Sequence, residues 1–442
     1  MTWRRSAEGG QLEALIPSPR RSTGARAQSA RTFLLVMFLL DGLGGICRAQ
    51  ATGPRVHQLG RTVATATEPF RITGLPRILS DGSVLINDGL GRRLLLLDST
   101  LSHTTVLLDT IHNTEHWYPT RAGALLAYPG DSSAFCDGDA GAVLVIDSKG
   151  KIDRTMPAPG CVGFLTGRFD PAGRLVFQLG AAGSAVSVGV TCESCTPEER
   201  AFRVQAAAAA PDSLPILRAR PAKTPTAING AIVGVDTISR LRNAGVAAGV
   251  EPFVAANGAV VPRPIRRVFV LFDAWTMTSD GTIAVVRGHD YHIDWISPDG
   301  TRSSSSPLPF EWHRLSDSEK VAIVDSARAD LEAHPLQVNA PYYHGPLAGD
   351  VEPPDSLPDY PPPFSLGGVL ADAEGNVWIH TTPYHASAEA AGLVYDVVNR
   401  RGVVIDRVQI PGATTIVGFG HGVVYLSSRT GTGSSLVRVL LR

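Results

Sequence analysis

The 442-residue chain has little lysine, almost no net charge and no apolar segment long enough to span a membrane. Lysine occurs only at Lys149, Lys151, Lys223 and Lys320, and the formal net charge is −1. A near-neutral chain without a basic stripe is poorly suited to neutralising phosphates, which excludes nucleic acid as a partner. The apolar run at residues 33–40 is far shorter than the roughly 20 residues of a transmembrane helix, so no membrane anchor is predicted.

Familiar catalytic motifs are also missing. The chain spells no Gly-x-Ser-x-Gly nucleophile motif and no His-Glu-x-x-His zinc-protease motif, and it has no phosphate-binding loop. Long helical periodicity is almost absent. These absences leave the function to be predicted from architecture and from clusters of polar side chains.

The N-terminal segment has the order of features found in secretory signals. Arg20, Arg21, Arg26 and Arg31 precede the apolar run, and Cys47-Arg48-Ala49 follows it. This order predicts a signal peptide with a basic extension over residues 1–49, cleavage after Ala49 and a periplasmic or secreted product. Twin-arginine export is disfavoured because the apolar core begins too far from Arg20 and Arg21. A lipid anchor at Cys47 is disfavoured by the preceding isoleucine.

Four cysteines remain after residue 49. An even number of cysteines in an oxidising compartment favours disulfides. The predicted pairs are Cys136 with Cys161 and Cys192 with Cys195. A redox role for the Cys-Glu-Ser-Cys segment, a four-cysteine zinc site and free thiols are alternatives.

A recurring unit runs through residues 70–442. Each copy has an apolar strand, a turn usually of Asp-Gly or Ser-Gly type, a second apolar strand, a polar loop and a third strand. Glycine accepts the positive φ that such hairpin turns need. The copies fall at Leu75–Asp98, Ala124–Asp147, Phe169–Gln178, Thr278–Gly300, Asp372–Asp396 and Gly422–Leu441.

This unit predicts an all-β chain forming a six-bladed β-propeller of four-stranded antiparallel blades. The strands are short and often apolar at consecutive positions, as expected where both faces of a sheet are covered. A β-sandwich is the alternative, but it does not need the repeated turn signature. The propeller domain is predicted over residues 50–442, and a strand near Arg55–Ala64 is a candidate to complete the last blade.

Two insertions interrupt the repeats. The stretch between Gly173 and Gly281 is interpreted as the outer strands of the third blade plus a variable insertion, and another degenerate blade is the alternative. Ser316 and Glu319 form a capping-box pattern that predicts a short helical insertion at about 316–334. A proline-rich connection then runs over about 353–363.

From about residue 70 onward the units resemble six-bladed propellers of the NHL/gluconolactonase/TolB-like type. Asp372-Ala-Glu-Gly-Asn-Val-Trp-Ile379 resembles the inner hairpin of NHL and lactonase-type blades, and residues 273–301 resemble exported bacterial propeller proteins. The resemblance implies a ligand site at the central channel. Its lactonase branch implies acidic and amide metal ligands inside the channel, and no matching positions are found in this sequence.

The candidate site residues are predicted to lie at the channel mouth. They are polar or aromatic side chains in loops that follow apolar strands, and their imidazoles with Asp290 could hold a divalent metal. The alternative is that they cap strands and bond the backbone. The candidates are Asn87, Asp88, Arg287, His289, Asp290, Tyr291, His292, His380, Tyr384 and His385. Asp137 and Asp139 hint at calcium but lack further oxygen ligands.

These features together favour a non-catalytic, monomeric module of the cell envelope that binds a small molecule or an envelope protein. The alternative is a lactonase-like, hydrolase-like or lyase-like propeller enzyme with its site at the channel mouth and a possible divalent metal. A redox role through Cys192 is a third hypothesis.

Overall fold

A computed structural model describes residues 54–71, 74–111, 117–118, 123–137, 142–157, 167–178, 213–221, 232–242, 249–254, 260–334, 336–340, 343–347, 350–382, 392–430 and 433–442. Within these residues, six four-stranded antiparallel blades form a propeller ring, as predicted. No helix among them is long and apolar enough to cross a membrane.

The first two strands of the chain join the last two blades. They are β1 (Val56–Gln58) and β2 (Thr62–Thr65). Blade I then contains β3 (Arg77–Ile78), β4 (Val84–Asp88), β5 (Arg93–Leu97) and β6 (Thr104–Leu108). Blade II contains β7 (Leu125–Tyr128), β8 (Ser132–Asp137), β9 (Ala142–Ile146) and β10 (Ile152–Pro157).

The next two blades surround the first long insertion. Blade III contains β11 (Arg168–Phe169), β12 (Leu175–Gln178), β13 (Ser213–Pro221) and β14 (Ile232–Arg242). A hairpin of β15 (Gly249–Val254) and β16 (Val260–Arg266) follows it. Blade IV contains β17 (Ala274–Met277), β18 (Ile283–Arg287), β19 (His292–Ile296) and β20 (Arg302–Ser304).

A helical insertion separates blades IV and V. It contains α1 (Asp317–Ala333), a hairpin of β21 (Leu336–Ala340) and β22 (Tyr343–Leu347), β23 (Asp350–Val351) beside β16, and a 3-10 turn at Pro354–Ser356. Blade V contains β24 (Phe364–Ala371), β25 (Val377–Thr381), β26 (Leu393–Val398) and β27 (Val404–Ile410). Blade VI contains β28 (Thr414–Gly420), β29 (Val423–Thr430) and β30 (Gly433–Leu440).

The ring closes through β2, which pairs antiparallel with β30 and supplies the fourth strand of blade VI. The predicted strand near Arg55–Ala64 therefore does complete the last blade. β1 also adds a fifth strand to blade V, where it runs parallel to β27, and no feature of the sequence predicts this pairing.

The core is divided among the junctions between blades. Six clusters of buried apolar side chains each join two neighbouring blades in the described ring. Ile283 and Val285 of blade IV, for example, pack with Val176 and Ile216 of blade III. Both faces of each blade are thus covered, which explains why the strands are apolar at consecutive positions.

The insertion helix begins as predicted. Ser316 accepts a hydrogen bond from the Glu319 backbone N–H, and the Glu319 carboxylate accepts one from the Ser316 backbone N–H. The buried face of the helix includes Lys320, whereas Val321 is exposed. The Lys320 ammonium donates to the Leu357 carbonyl oxygen at 3.1 Å and to Asp359 at 3.0 Å, which offsets the cost of burying it.

Candidate functional site

A cavity of about 1120 Å³ occupies the centre of the ring. The innermost strands of all six blades line it, namely β3, β7, β11, β17, β24 and β28, together with the turns that follow them. Because every blade presents its first strand to this space, a ligand in it would be touched by residues far apart in the sequence. Such a concave site, formed by six elements, is the natural place for a small molecule.

The eight predicted site residues that the structure describes do not line this cavity. All eight lie where each blade's second strand passes into its third, at the other end of the strands from the turns that line the cavity. They follow or flank β4, β18 and β25. Tyr384 and His385 lie outside the described residues.

In blade I the candidates Asn87 and Asp88 make hydrogen bonds within the protein. The Asp88 carboxylate accepts from Arg93 Nη2 at 2.7 Å and from the Gly91 N–H at 3.0 Å. The Tyr118 hydroxyl donates to Asn87 Oδ1 at 2.6 Å. Both polar side chains are buried, so they stabilise this loop and are not open to a ligand.

In blade IV the candidates form a network of ion pairs. Arg287 bonds Asp273 at 2.7 Å and Asp294 at 2.8 Å. His292 lies between Asp290, 2.9 Å from its Nδ1, and Asp294, 3.2 Å from its Nε2. Because both ring nitrogens face carboxylates, this imidazole is a poor candidate for general acid–base catalysis.

Two further candidates in this loop differ in burial. His289 is exposed, whereas Tyr291 is fully buried and packs edge-to-face on Phe310. Burial raises the pKa of Tyr291 well above its usual value. Tyr291 therefore belongs to the core between blades IV and V.

His380 in blade V is half-buried and stacks on Tyr395, with ring centroids 5.2 Å apart. Burial lowers the pKa of His380, which favours the neutral imidazole at neutral pH. Among the described residues no group of three His, Cys, Asp or Glu side chains could hold a metal ion.

The acidic side chains that line the cavity are all engaged by the wall. Asp131 pairs with Arg77 and accepts from Ser80. The other three accept hydrogen bonds from their own turns. Asp81 bonds the Ser83 N–H, Asp170 bonds Arg174, and Asp372 bonds Asn376 and the Trp378 indole N–H.

His421 is a cavity-lining residue that the sequence analysis missed. It lies in the tight turn between β28 and β29, and its side chain is 83% exposed. Its Nδ1 lies 3.4 Å from the Glu374 carboxylate of blade V. The described residues place no hydrogen-bond partner on its Nε2. The only sequence signal was a histidine between two glycines, and nothing local indicates that Glu374 lies beside it.

The predicted disulfides are only partly within the described chain. Cys136 is buried at the end of β8, while Cys161, Cys192 and Cys195 lie outside the described residues. Asp139 also lies outside them, beyond Asp137 at the end of β8. Both disulfide pairings stay predictions.

Comparison with known proteins gives structural likeness at low identity. No family model and no curated protein sequence matches the chain. Among solved structures, virginiamycin B lyase from Staphylococcus aureus is 9% identical at a TM-score of 0.33, covering 86% of this chain and 99% of that chain. A gluconolactonase from Xanthomonas campestris is 12% identical at 0.34, covering 87% and 99%. The aldose sugar dehydrogenase of Streptomyces coelicolor in its form bound to pyrroloquinoline quinone (PQQ) is 11% identical at 0.30, covering 88% and 99%.

These comparisons correct one prediction. The expectation of a non-catalytic envelope module is wrong: nothing found supports that role, and the alternative of a lyase-like or lactonase-like enzyme fits better. The error came from treating missing motifs as missing chemistry, although a propeller assembles its site from separate blades. Likeness of this size describes the fold, so the substrate has to be argued from the site.

Proposed function

We propose that the protein is an enzyme of the lyase or lactonase kind that opens an ester or lactone bond in the central channel. One observation carries the proposal: the exposed His421 side chain lines the channel with its Nδ1 3.4 Å from Glu374, and the described residues place no hydrogen-bond partner on its Nε2. A carboxylate at one nitrogen of an imidazole fixes which nitrogen carries the proton, and the opposite nitrogen can then accept one.

Both reaction routes begin with a general base. In hydrolysis, His421 Nε2 takes a proton from water, the oxygen adds to the ester carbonyl, and the imidazolium returns the proton to the departing alkoxide. In elimination, the same nitrogen takes a proton from the carbon next to a carbonyl, a C=C bond forms to the following carbon, and the C–O bond of that carbon breaks with its electron pair on the departing carboxylate. The imidazolium then releases its proton to water. In either route Glu374 orients the ring.

The test compares two exposed histidines that each lie beside a carboxylate. His421→Gln is made with His334→Gln as the control, because His334 lies 3.2 Å from Asp330 on α1 and outside the channel. Turnover of γ-lactones, δ-lactones and aryl esters is followed by proton release, and product masses distinguish hydrolysis from elimination.

We expect kcat/KM to fall by about 100-fold or more in His421→Gln, the usual contribution of a general base. His334→Gln should match the unchanged protein. Equal turnover in His421→Gln, or no turnover of any of these substrates by the unchanged protein, would refute the proposal.

We also propose that the protein is exported and that Cys136 pairs with Cys161. The basic and apolar segments before Ala49 support export, and an oxidising compartment favours the pairing. Fractionation of a producing bacterium, followed by mass spectrometry of the N-terminus and of non-reduced peptides, tests both. Recovery of an uncleaved chain in the cytoplasm, or of Cys136 as a free thiol, would contradict them.

A further inference from the structure

Two arginines occupy the same level of the channel wall. In blade I the Leu79 N–H donates to Ser83 O to close the first turn, and in blade III the Asp170 N–H donates to Arg174 O in the same way. Arg77 and Arg168 each lie two residues before that closing residue, on β3 and β11. Since side chains two residues apart on a strand share a face, the two arginines are equivalent in position, and both line the cavity.

Arg77 has a carboxylate partner supplied by the next blade. Its Nη2 lies 3.0 Å from Asp131 Oδ1, in the first turn of blade II. The same carboxylate accepts hydrogen bonds from the Ser80 N–H at 3.1 Å and the Ser80 hydroxyl at 2.7 Å. The junction between blades I and II therefore supplies the Arg77 guanidinium with a carboxylate partner within the wall.

Arg168 lacks the corresponding partner. The turn position of Asp131 is held in blade IV by Gly281, and both residues have a positive φ, 60° for Asp131 and 85° for Gly281. The position of Ser80 is held in blade III by Pro171, which has neither an N–H nor a hydroxyl. A Cβ on Gly281 would lie 2.7 Å from the Pro171 ring. Gly281 and the Pro171 ring therefore pack closely at this junction.

No carboxylate on the wall compensates Arg168. Among the described residues it has no hydrogen bond and no ion pair, while every acidic side chain lining the cavity is engaged elsewhere. Arg168 is half-buried, and desolvation by the surrounding protein lowers its pKa. A guanidinium held in this way gains more from an anionic ligand than one on an open surface.

We infer that Arg168 is a substrate-binding residue that takes a carboxylate group of a small molecule in the central channel. Arg77 indicates which anion binds, because this equivalent guanidinium, two junctions earlier in the ring, binds a carboxylate. The inference rests on the proposed function in naming the substrate class: an ester or lactone that carries a separate carboxylate. The neighbouring positions at the same level, Leu126 of blade II and Thr276 of blade IV, would contact its uncharged part.

The experiment is titration calorimetry with succinate as the carboxylate probe and dimethyl succinate as the neutral control. The unchanged protein is compared with Arg168→Met and with Arg218→Gln, an arginine of blade III that donates to the Pro298 carbonyl oxygen and does not line the cavity. A double variant, Pro171→Ser with Gly281→Asp, installs the blade I–II arrangement at the blade III–IV junction. Circular dichroism checks that each variant is folded.

We expect succinate but not dimethyl succinate to bind. The Kd should rise at least about tenfold in Arg168→Met, as for loss of one charge-assisted hydrogen-bonded pair. The double variant should lose binding in the same way because its own aspartate fills the site, and Arg218→Gln should bind as the unchanged protein does. No succinate binding by the unchanged protein, an unaffected Arg168→Met, or tighter binding of inorganic phosphate than of succinate would overturn the assignment.

The two proposals fail separately. Succinate binding that depends on Arg168, without turnover of any ester or lactone, would leave the carboxylate site standing and remove the enzymatic proposal. The opposite result is turnover that depends on His421, with equal rates for neutral and carboxylate-bearing esters in both the unchanged protein and Arg168→Met. It would leave the enzymatic proposal standing and remove the carboxylate site.

Discussion

At the scale of single residues, Asp396 on β26 is a buried carboxylate with one oxygen unsatisfied within the described part of the chain. Its side chain is 2% exposed, one oxygen bonds Arg407 Nε at 2.9 Å, and the other has no hydrogen-bond partner among the described residues. Burial raises the pKa of Asp396, and the Arg407 guanidinium works against that rise. The ion pair with Arg407 therefore offsets part of the cost of burying the charged Asp396 carboxylate inside the ring.

Arg407→Met should destabilise the protein by about 3 kcal/mol, since it leaves a buried carboxylate unpaired. The pKa of Asp396 should rise further, so the folded state would bind a proton more tightly than the unfolded state. Stability of the variant should then increase as the pH falls through this raised value towards the ordinary aspartate range. Urea unfolding at several pH values measures this, with the exposed Arg401→Met as control; a loss independent of pH would indicate lost packing instead.

Residue-scale prediction from the sequence worked for turns and failed for the site. Asp-Gly and related turns depend on neighbours within four residues, so Gly82 and Gly281 could be placed correctly. Whether a polar side chain is open or engaged depends on another blade. Asp88 was a candidate ligand but is bonded by Arg93, while His421 was overlooked because Glu374 lies 47 residues earlier.

At the scale of elements, closure of the ring depends on one short strand near the start of the described chain. β2 covers the edge of β30, and the Phe70 N–H and carbonyl oxygen both bond Ser434 just beyond it. Without these strands, blade VI would present an open edge with the N–H and C=O groups of β30 unpaired. β1 makes a further contact between the start and the end of the chain, because His57 Nε2 lies 2.8 Å from Asp406.

Removal of residues 1–66 should therefore lower the Tm by more than 5 °C and promote association through the edge of β30. Removal of residues 1–53 is the matched control, because it keeps β1 and β2, and its Tm should equal that of the longer chain. Calorimetry and light scattering report the two effects. An unchanged Tm after the longer deletion would mean that the ring does not depend on this closure.

Elements could be predicted where they repeat and missed where they do not. The hairpins of the blades recur with the same turn, so six copies support one another. The strands β15, β16, β21, β22 and β23 occur once each and lie outside the blades. The helix α1 was found because its capping box is local, whereas its buried Lys320 depends on Leu357 and Asp359 across the insertion.

At the scale of the whole molecule, the described core has two kinds of apolar cluster. Six clusters join neighbouring blades around the ring, so each blade is held on both sides. A seventh lies under α1 and contains Val324, Ala327, Val351 and Leu357. It joins the helix to the insertion segments and shares no buried residue with the blade clusters.

Because the insertion cluster is separate from the blade clusters, the same substitution of leucine by alanine should have different effects in the two. Leu85 is fully buried between blades I and II, and Leu357 is 3% exposed in the insertion cluster. Leu85→Ala should lower the free energy of global unfolding by about 3 kcal/mol, the usual loss for a buried leucine. Leu357→Ala should leave global unfolding nearly unchanged and instead accelerate amide exchange within α1, because the insertion can open while the ring stays closed. Hydrogen exchange resolved by residue distinguishes these results; equal loss of global stability in both variants would show that the insertion unfolds only with the ring.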